Sequence, residues 1–184
     1  MEIYLIRHTA VENPENLCYG FSDIPLRSNY IEDFKALNLG ENFDRVISSP
    51  SERCILLAEH FHLNYQTDER LREMNFGSWE MMKWSDISEE EINPWYADFV
   101  NTKAVGGENL LEMRNRILSF WNELTSEEAL DKILIITHGG VIRLVLQIIL
   151  EFPLENLFKI QIDHGKKVII HMNEGYYSVK MLNG

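Results

Sequence analysis

Short apolar runs rich in β-branched residues recur along the chain, and between them the apolar residues fall at the three- and four-residue spacing of helices. Glu2 to Ile6, Arg45 to Ser48 and Lys132 to Thr137 read as buried strands, and Phe158 to Ile162, Val168 to His171 and Tyr176 to Val179 extend the series. Ser49-Pro50-Ser51-Glu52 offers a capping serine, a proline suited to the first helical position and a glutamate in the first turn. Cys54, Leu57, Ala58 and Phe61 follow at helical spacing, so a helix starting at Ser49 is predicted. A second helix is predicted from about Glu108 to Leu124, with Leu110, Arg114, Ile117, Trp121 and Leu124 along one stripe. A third starts near Gly140 and carries Val141, Leu144, Val145 and Ile148. Strands alternating with helices predict an α/β fold, a three-layer α/β/α sandwich whose largely parallel sheet is flanked by helices.

Between Trp79 and Gly107 the pattern turns irregular, with Trp84, Trp95, Tyr96 and Phe99 mixed into the acidic run Glu89-Glu90-Glu91. Asn93-Pro94 resembles a helix start, so two short helices are expected here, as a cap over one end of the sheet. No repeat or Pro- and Gly-rich linker divides the chain. Residues 1–184 are therefore expected to form a single domain with a small helical cap insertion at about 79–107.

Composition narrows the partners. A hydrophobic fraction of 45% excludes a disordered acidic chain, and 17 Lys plus Arg against 29 Asp plus Glu give a formal charge of −12. That charge argues against nucleic acid or an anionic membrane surface as partner, because both attract Lys- and Arg-rich faces. The longest apolar run, Val141 to Leu150, is broken by Arg143 and Gln147 and is short of a membrane span, and the start MEIYLIRH lacks the pattern of a signal peptide. Cys18 and Cys54 lack a CxxC spacing and read as small buried hydrophobes in a reducing compartment. A soluble cytoplasmic protein is expected, and the sequence specifies no oligomeric state.

Two strand patterns end in histidine. Leu5-Ile6 runs into Arg7-His8, and Ile133 to Thr137 runs into His138-Gly139-Gly140, while the strand ending at Ser48 leads to a helix carrying Arg53. In open α/β sheets, ligands bind just past the carboxyl ends of the strands. If parallel strands bring these ends together, two imidazoles and two guanidiniums converge. Guanidiniums grip phosphate oxygens in a fork, and an imidazole can be a nucleophile toward phosphorus. Four such groups would repel one another unless an anion belonged among them.

These residues resemble the histidine phosphatase superfamily, which includes the phosphoglycerate mutases. The family's Arg-His-Gly is matched by Arg7-His8 followed by Thr9, and its Ser-Ser-Pro with a helical Arg by Ser48-Ser49-Pro50 and Arg53. Its Leu-x-Glu ahead of Phe-Gly-x-Trp-Glu is matched by Leu71-Arg72-Glu73 and Phe76-Gly77-Ser78-Trp79-Glu80, and its Thr-His-Gly-Gly by Thr137 to Gly140 with Arg143 downstream. The segment from Arg7 to Val11 with Cys18-Tyr19-Gly20-Phe21-Ser22-Asp23-Ile24-Pro25-Leu26 is similar to the α-ribazole phosphatases, which remove the 5′-phosphate of α-ribazole 5′-phosphate or its cobamide adduct during cobalamin assembly. Thr9 and Pro14 depart from the mutase pattern.

The resemblance implies a phosphoglycerate mutase-like fold and a small-molecule phosphomonoester substrate. It makes His8 the nucleophile of a phosphohistidine intermediate, Glu73 the proton donor and acceptor, and Arg7, Arg53 and His138 the holders of the phosphoryl oxygens. Tyr19, Gly20 and Trp79 are candidate substrate contacts, the two aromatic rings either stacking on a flat heterocycle or packing in the core. No cofactor or metal is expected. His60-x-His62 lacks further ligands nearby, and His164 and His171 are read as loop and strand-surface residues. Alternatives are a broad-specificity phosphatase, a mutase-type phosphotransferase, or, in another class, a non-catalytic or signalling phospho-ligand module, against which the intact His8, Arg53, Glu73 and His138 speak.

Overall fold

The structure, a computed structural model, describes residues 1–40, 42–127 and 130–184. Its centre is a six-stranded sheet in the order β3 (Gln66–Thr67), β2 (Arg45–Ser48), β4 (Lys132–Thr137), β1 (Glu2–Arg7), β5 (Lys167–Asn173), β6 (Tyr176–Met181). The first four run parallel, and β5 and β6 add an antiparallel hairpin beside β1. Strand residues alternate between two cores, as the pleat requires. Ile3, Leu5, Ile133 and Ile135 pack under α4 (Leu110–Thr125) and α5 (Gly139–Leu150). Ile6, Val46, Leu134 and Ile136 face α1 (Tyr30–Lys35) and α2 (Glu52–His60) on the opposite side. This is the three-layer α/β/α sandwich the sequence predicts, around a sheet that is parallel over four of its six strands.

Register decides where chemistry can gather. Arg7 lies opposite Thr137, and Ser48 opposite Ile136, so the carboxyl ends of β1, β4 and β2 finish level with one another. His8, His138 and the turn leading to Arg53 therefore share one edge.

Three local expectations are corrected. The helix expected from Ser49 begins at Glu52 with Ser51 as N-cap, because the Ser49 amide donates to the Ile136 carbonyl and keeps that residue in the ladder. The strand expected at Phe158 to Ile162 is absent. Leu154–Lys159 forms a 3-10 turn, and the carbonyls of Ile160 and Ile162 accept from Arg143 and Arg7 rather than from a neighbouring strand. The helix expected at Asn93-Pro94 starts a turn earlier, as α3 (Glu89–Ala97) behind Ser88, with the acidic run at its positive end and Pro94 inside it.

Residues 77–107 contribute two further 3-10 turns, Gly77–Trp79 and Trp84–Asp86, besides α3. Trp79, Ile87, Ile92 and Ala104 form a small separate core with Cys18. Among the described residues, no helix is long and apolar enough to cross a membrane.

Candidate active site

His8 directly follows the last residue of β1, and its amide donates to the Thr137 carbonyl, which carries the ladder one residue further. The side chain is only 2% exposed. Its Nδ1 lies 2.7 Å from the Thr9 carbonyl. A carbonyl only accepts, so Nδ1 carries the proton and Nε2 keeps its lone pair. Burial above all, then the charges of Arg53, His164 and Arg7, push the His8 pKa well below the ordinary histidine value. The ring is thus a neutral imidazole with one basic nitrogen, the form a nucleophile needs.

His138, fully buried, caps α5 and stands 5.2 Å from His8 between ring centres. Arg53 Nη2 approaches its Nδ1 at 3.3 Å, and its Nε2 lies 2.8 Å from Ser49 Oγ. A guanidinium only donates, so Nδ1 accepts and Nε2–H donates to the serine. The turn that postpones α2 is what sets Ser49 there. Burial, followed by Arg53, lowers the His138 pKa as well.

Both arginines are held by backbone. Arg7 Nη1 donates to the Ile162 carbonyl at 2.6 Å, and Arg53 donates to the carbonyls of Gly20 at 2.6 Å and Ser22 at 3.0 Å. The Nε of each is buried with no hydrogen-bond acceptor among the described residues. Burying a donor unpaired is costly, so these are the groups an anion would satisfy.

The Gly20 to Ser22 loop that holds Arg53 is itself clamped. Glu80 accepts the amides of Gly20, Phe21, Ser22 and Phe76 at 3.0–3.1 Å. Burial works to raise the Glu80 pKa, but these four amides outweigh it and hold the carboxyl below its usual range. Gly20 has no room for a side chain, since a Cβ would stand 1.7 Å from the Met74 carbonyl oxygen.

Glu73 reaches the site from the segment before residues 77–107. Its Oε2 accepts from the Gly140 amide at 3.0 Å, in the first turn of α5. Arg116 on α4 fixes the preceding backbone, donating to the carbonyls of Arg70, Arg72 and Glu73 while pairing with Glu108 at 2.6 Å.

A cavity of 210 Å³ opens against this edge of the sheet. Arg7, His8, Glu73 and Arg143 make its polar end, and Tyr19, Phe76, Trp84, Trp95 and Phe158 line much of the rest. Arg53 and His138 stand behind His8 rather than on the cavity wall. Of the three candidate substrate contacts, only Tyr19 lines the cavity, 5.4 Å from the Arg53 guanidinium. Gly20 serves through its backbone. Trp79, 2% exposed, packs with Cys18 and Ile92 and lies 6.2 Å from the Trp95 ring, so its stacking role is withdrawn in favour of core packing.

Sequence reasoning gave no site role to Arg143, Trp84, Trp95, Phe158, Glu80, Arg116 or His164. For Trp84 and Trp95 a cue existed, two tryptophans in an otherwise polar stretch. Phe158 was hidden by the mistaken strand.

The sequence matches the histidine phosphatase superfamily (branch 1) over residues 3–184. It is 28% identical to the adenosylcobalamin/alpha-ribazole phosphatase of Escherichia coli (strain K12), across 100% of this chain and 96% of the relative. With the same-named protein of Salmonella typhimurium the identity is 29% over the same shares. The crystal structure of the alpha-ribazole phosphatase from Shigella flexneri superposes with a TM-score of 0.90 at 27% identity, covering 100% of this chain and 96% of that one. With its motifs converging on one cavity and its whole length aligned, the chain belongs to the histidine phosphatase superfamily.

Proposed function

We propose that the protein is a phosphomonoesterase that works through a phosphohistidine on His8 and hydrolyses α-ribazole 5′-phosphate or its cobamide adduct. The observation that carries the chemistry is the neutral, Nε2-basic His8 set beside the unpaired Nε of Arg7 on a wall shared with Glu73. The aromatic walls supply the preference, because Tyr19, Trp84 and Trp95 suit a flat heteroaromatic leaving group. The similarity to alpha-ribazole phosphatases agrees with that choice.

In the first step His8 Nε2 attacks phosphorus, the P–N bond forms as the P–O ester bond breaks, and the departing alkoxide takes a proton from the Glu73 carboxyl. The dianionic phosphoryl group favours the protonated acid beforehand, since two negative groups disfavour each other at close range. In the second step the Glu73 carboxylate takes a proton from water, the resulting hydroxide attacks phosphorus, and the P–N bond breaks to free phosphate. Arg7 and Arg53 balance the charge that spreads over the nonbridging oxygens, and His138 orients Arg53 from behind. Residues 79–107 act as the cap of a single domain.

The test is phosphate release from a panel of α-ribazole 5′-phosphate, 3-phosphoglycerate, sugar phosphates and nucleotides. A clear kcat/KM preference for the first is expected, and equal or lower activity toward it would reject the substrate assignment. Acid-labile, base-stable labelling by a phosphate donor, lost in His8→Ala, tests the nucleophile separately.

A further inference from the structure

His164 lies outside every motif that defines the site, yet its ring centre is 5.3 Å from that of His8, almost the same as the 5.2 Å that separates His8 from His138. The segment that carries it is fastened on both sides. Before it, the Ile162 carbonyl accepts from Arg7 Nη1 at 2.6 Å. After it, the Gly165 amide donates to the carbonyls of Arg7 and His8, at 3.1 and 3.2 Å. The nucleophile and the His164 loop are therefore one rigid assembly.

The imidazole itself keeps an edge open to solvent. It lines a second cavity, of 470 Å³, together with Arg27 and with Leu17, Tyr19 and Trp84, three residues that also line the first. The charged and titratable groups acting on it are Arg7 and His8 at the end of β1, Arg27 from the loop before α1 and Asp163 on its own loop, and Glu12 and Tyr19 line the second cavity with it. Its packed inner side, Arg7 and Arg27 hold its pKa down, and Asp163 opposes them only in part.

Resting on the catalytic reading above, we propose that His164 is a third imidazole of the phosphoryl site, one that takes a proton from solvent when a dianionic group seats beside His8 and then holds that group as a cation. Two cations disfavour charging this ring while the site holds no anion, and an anion between them reverses the balance. Arg7 and Arg53 are charged at all times. His164 would add a donor that exists only when there is a dianion to hold.

The probe is inorganic sulfate, which stays dianionic across the useful range, so any proton taken up on binding comes to the protein. Calorimetry at pH 6.5 in two buffers of different ionisation enthalpy gives affinity and proton uptake together. Wild type is expected to take up protons on binding. His164→Gln is expected to bind sulfate about tenfold more weakly, the loss of one charge-assisted contact, and to take up measurably fewer protons. His164→Asn repeats the comparison with a shorter amide, so that a loop distortion peculiar to one variant is recognised. Unchanged affinity and uptake in both variants would overturn the proposal. Weaker binding with unchanged proton uptake would overturn it too, because a merely structural loop residue would behave that way. Turnover lost in His8→Ala but a sulfate response untouched by His164→Gln rejects this inference alone, whereas a wild type that releases no phosphate rejects the catalytic reading.

Discussion

Glu73 meets Gly140 at a separation that only glycine permits: Oε2 accepts the Gly140 amide at 3.0 Å, and a Cβ added there would stand 2.1 Å from Oε1. Gly140→Ala should therefore push the carboxylate off the cavity wall while leaving the nucleophile in place. We expect kcat/KM for a poor alkoxide leaving group, which reports the steps through ester cleavage, to fall by about 10²-fold, the scale of a lost general acid. p-Nitrophenyl phosphate, whose leaving group needs little protonation, should lose much less. Equal losses on both substrates would mean that Glu73 is not the proton donor.

Glu80 touches no cavity-lining atom that would meet phosphate, yet it clamps the loop whose carbonyls hold Arg53. Because its folded-state pKa lies below the ordinary 4.5, its contribution to stability is present above that value and is lost as pH falls below it, toward the folded-state pKa. Glu80→Gln should be less stable at neutral pH, and the gap in Tm between variant and wild type should narrow as pH is lowered from 5 toward 3. A gap that stays constant over that titration would remove the carboxylate from this role.

His8 and His138 both have depressed pKa values, so neither should charge at the usual histidine pH. In proton–carbon correlation spectra their ring Cε1–H signals should titrate with midpoints below 6.5, the ordinary histidine value. The unfolded chain binds these protons at its ordinary value and the folded chain does not. Stability from the pair is accordingly full above pH 6.5 and declines as the solution is acidified below it.

Trp84 and Trp79 each meet the ring of Trp95 but have different duties. Trp84 lines the cavity, and Trp84→Ala should raise KM for an aromatic phosphoester about tenfold, in line with the loss of one stacking partner. Trp79 lies in the core behind it. Trp79→Phe should leave KM unchanged, whereas Trp79→Ala should cost about 3–5 kcal/mol of stability, measured by urea unfolding.

The catalytic edge was legible in the sequence because it is written in residues that backbone register alone brings together. Arg7 ends one strand, and His8 and His138 follow directly on adjacent strands, so the prediction of parallel pairing sufficed to gather them. Elements of few residues were not legible. The six-residue α1 buries only Phe34, and β3 is two exposed residues, so neither leaves a periodic trace. Phe158 to Ile162 misled for a different reason: its β-like composition is satisfied by packing, while its carbonyls are spoken for by Arg143 and Arg7. His164 escaped notice because its approach to His8 depends on the fastening of a loop, which no spacing along the chain records.

Trp84, Trp95, Leu157 and Phe158 in the wall of the first cavity come from an outer stretch, residues 84–95 and 157–158, whereas the reactive imidazole and its guanidinium stand at the end of the first strand, and Glu73 and the Glu80 clamp precede that stretch. Reactivity and selectivity are thus inherited on separate stretches of polypeptide. The outer stretch can drift, lengthen or be exchanged to admit a different alcohol without disturbing the machinery that breaks the ester, and diversification of substrates on this scaffold requires no reinvention of its chemistry.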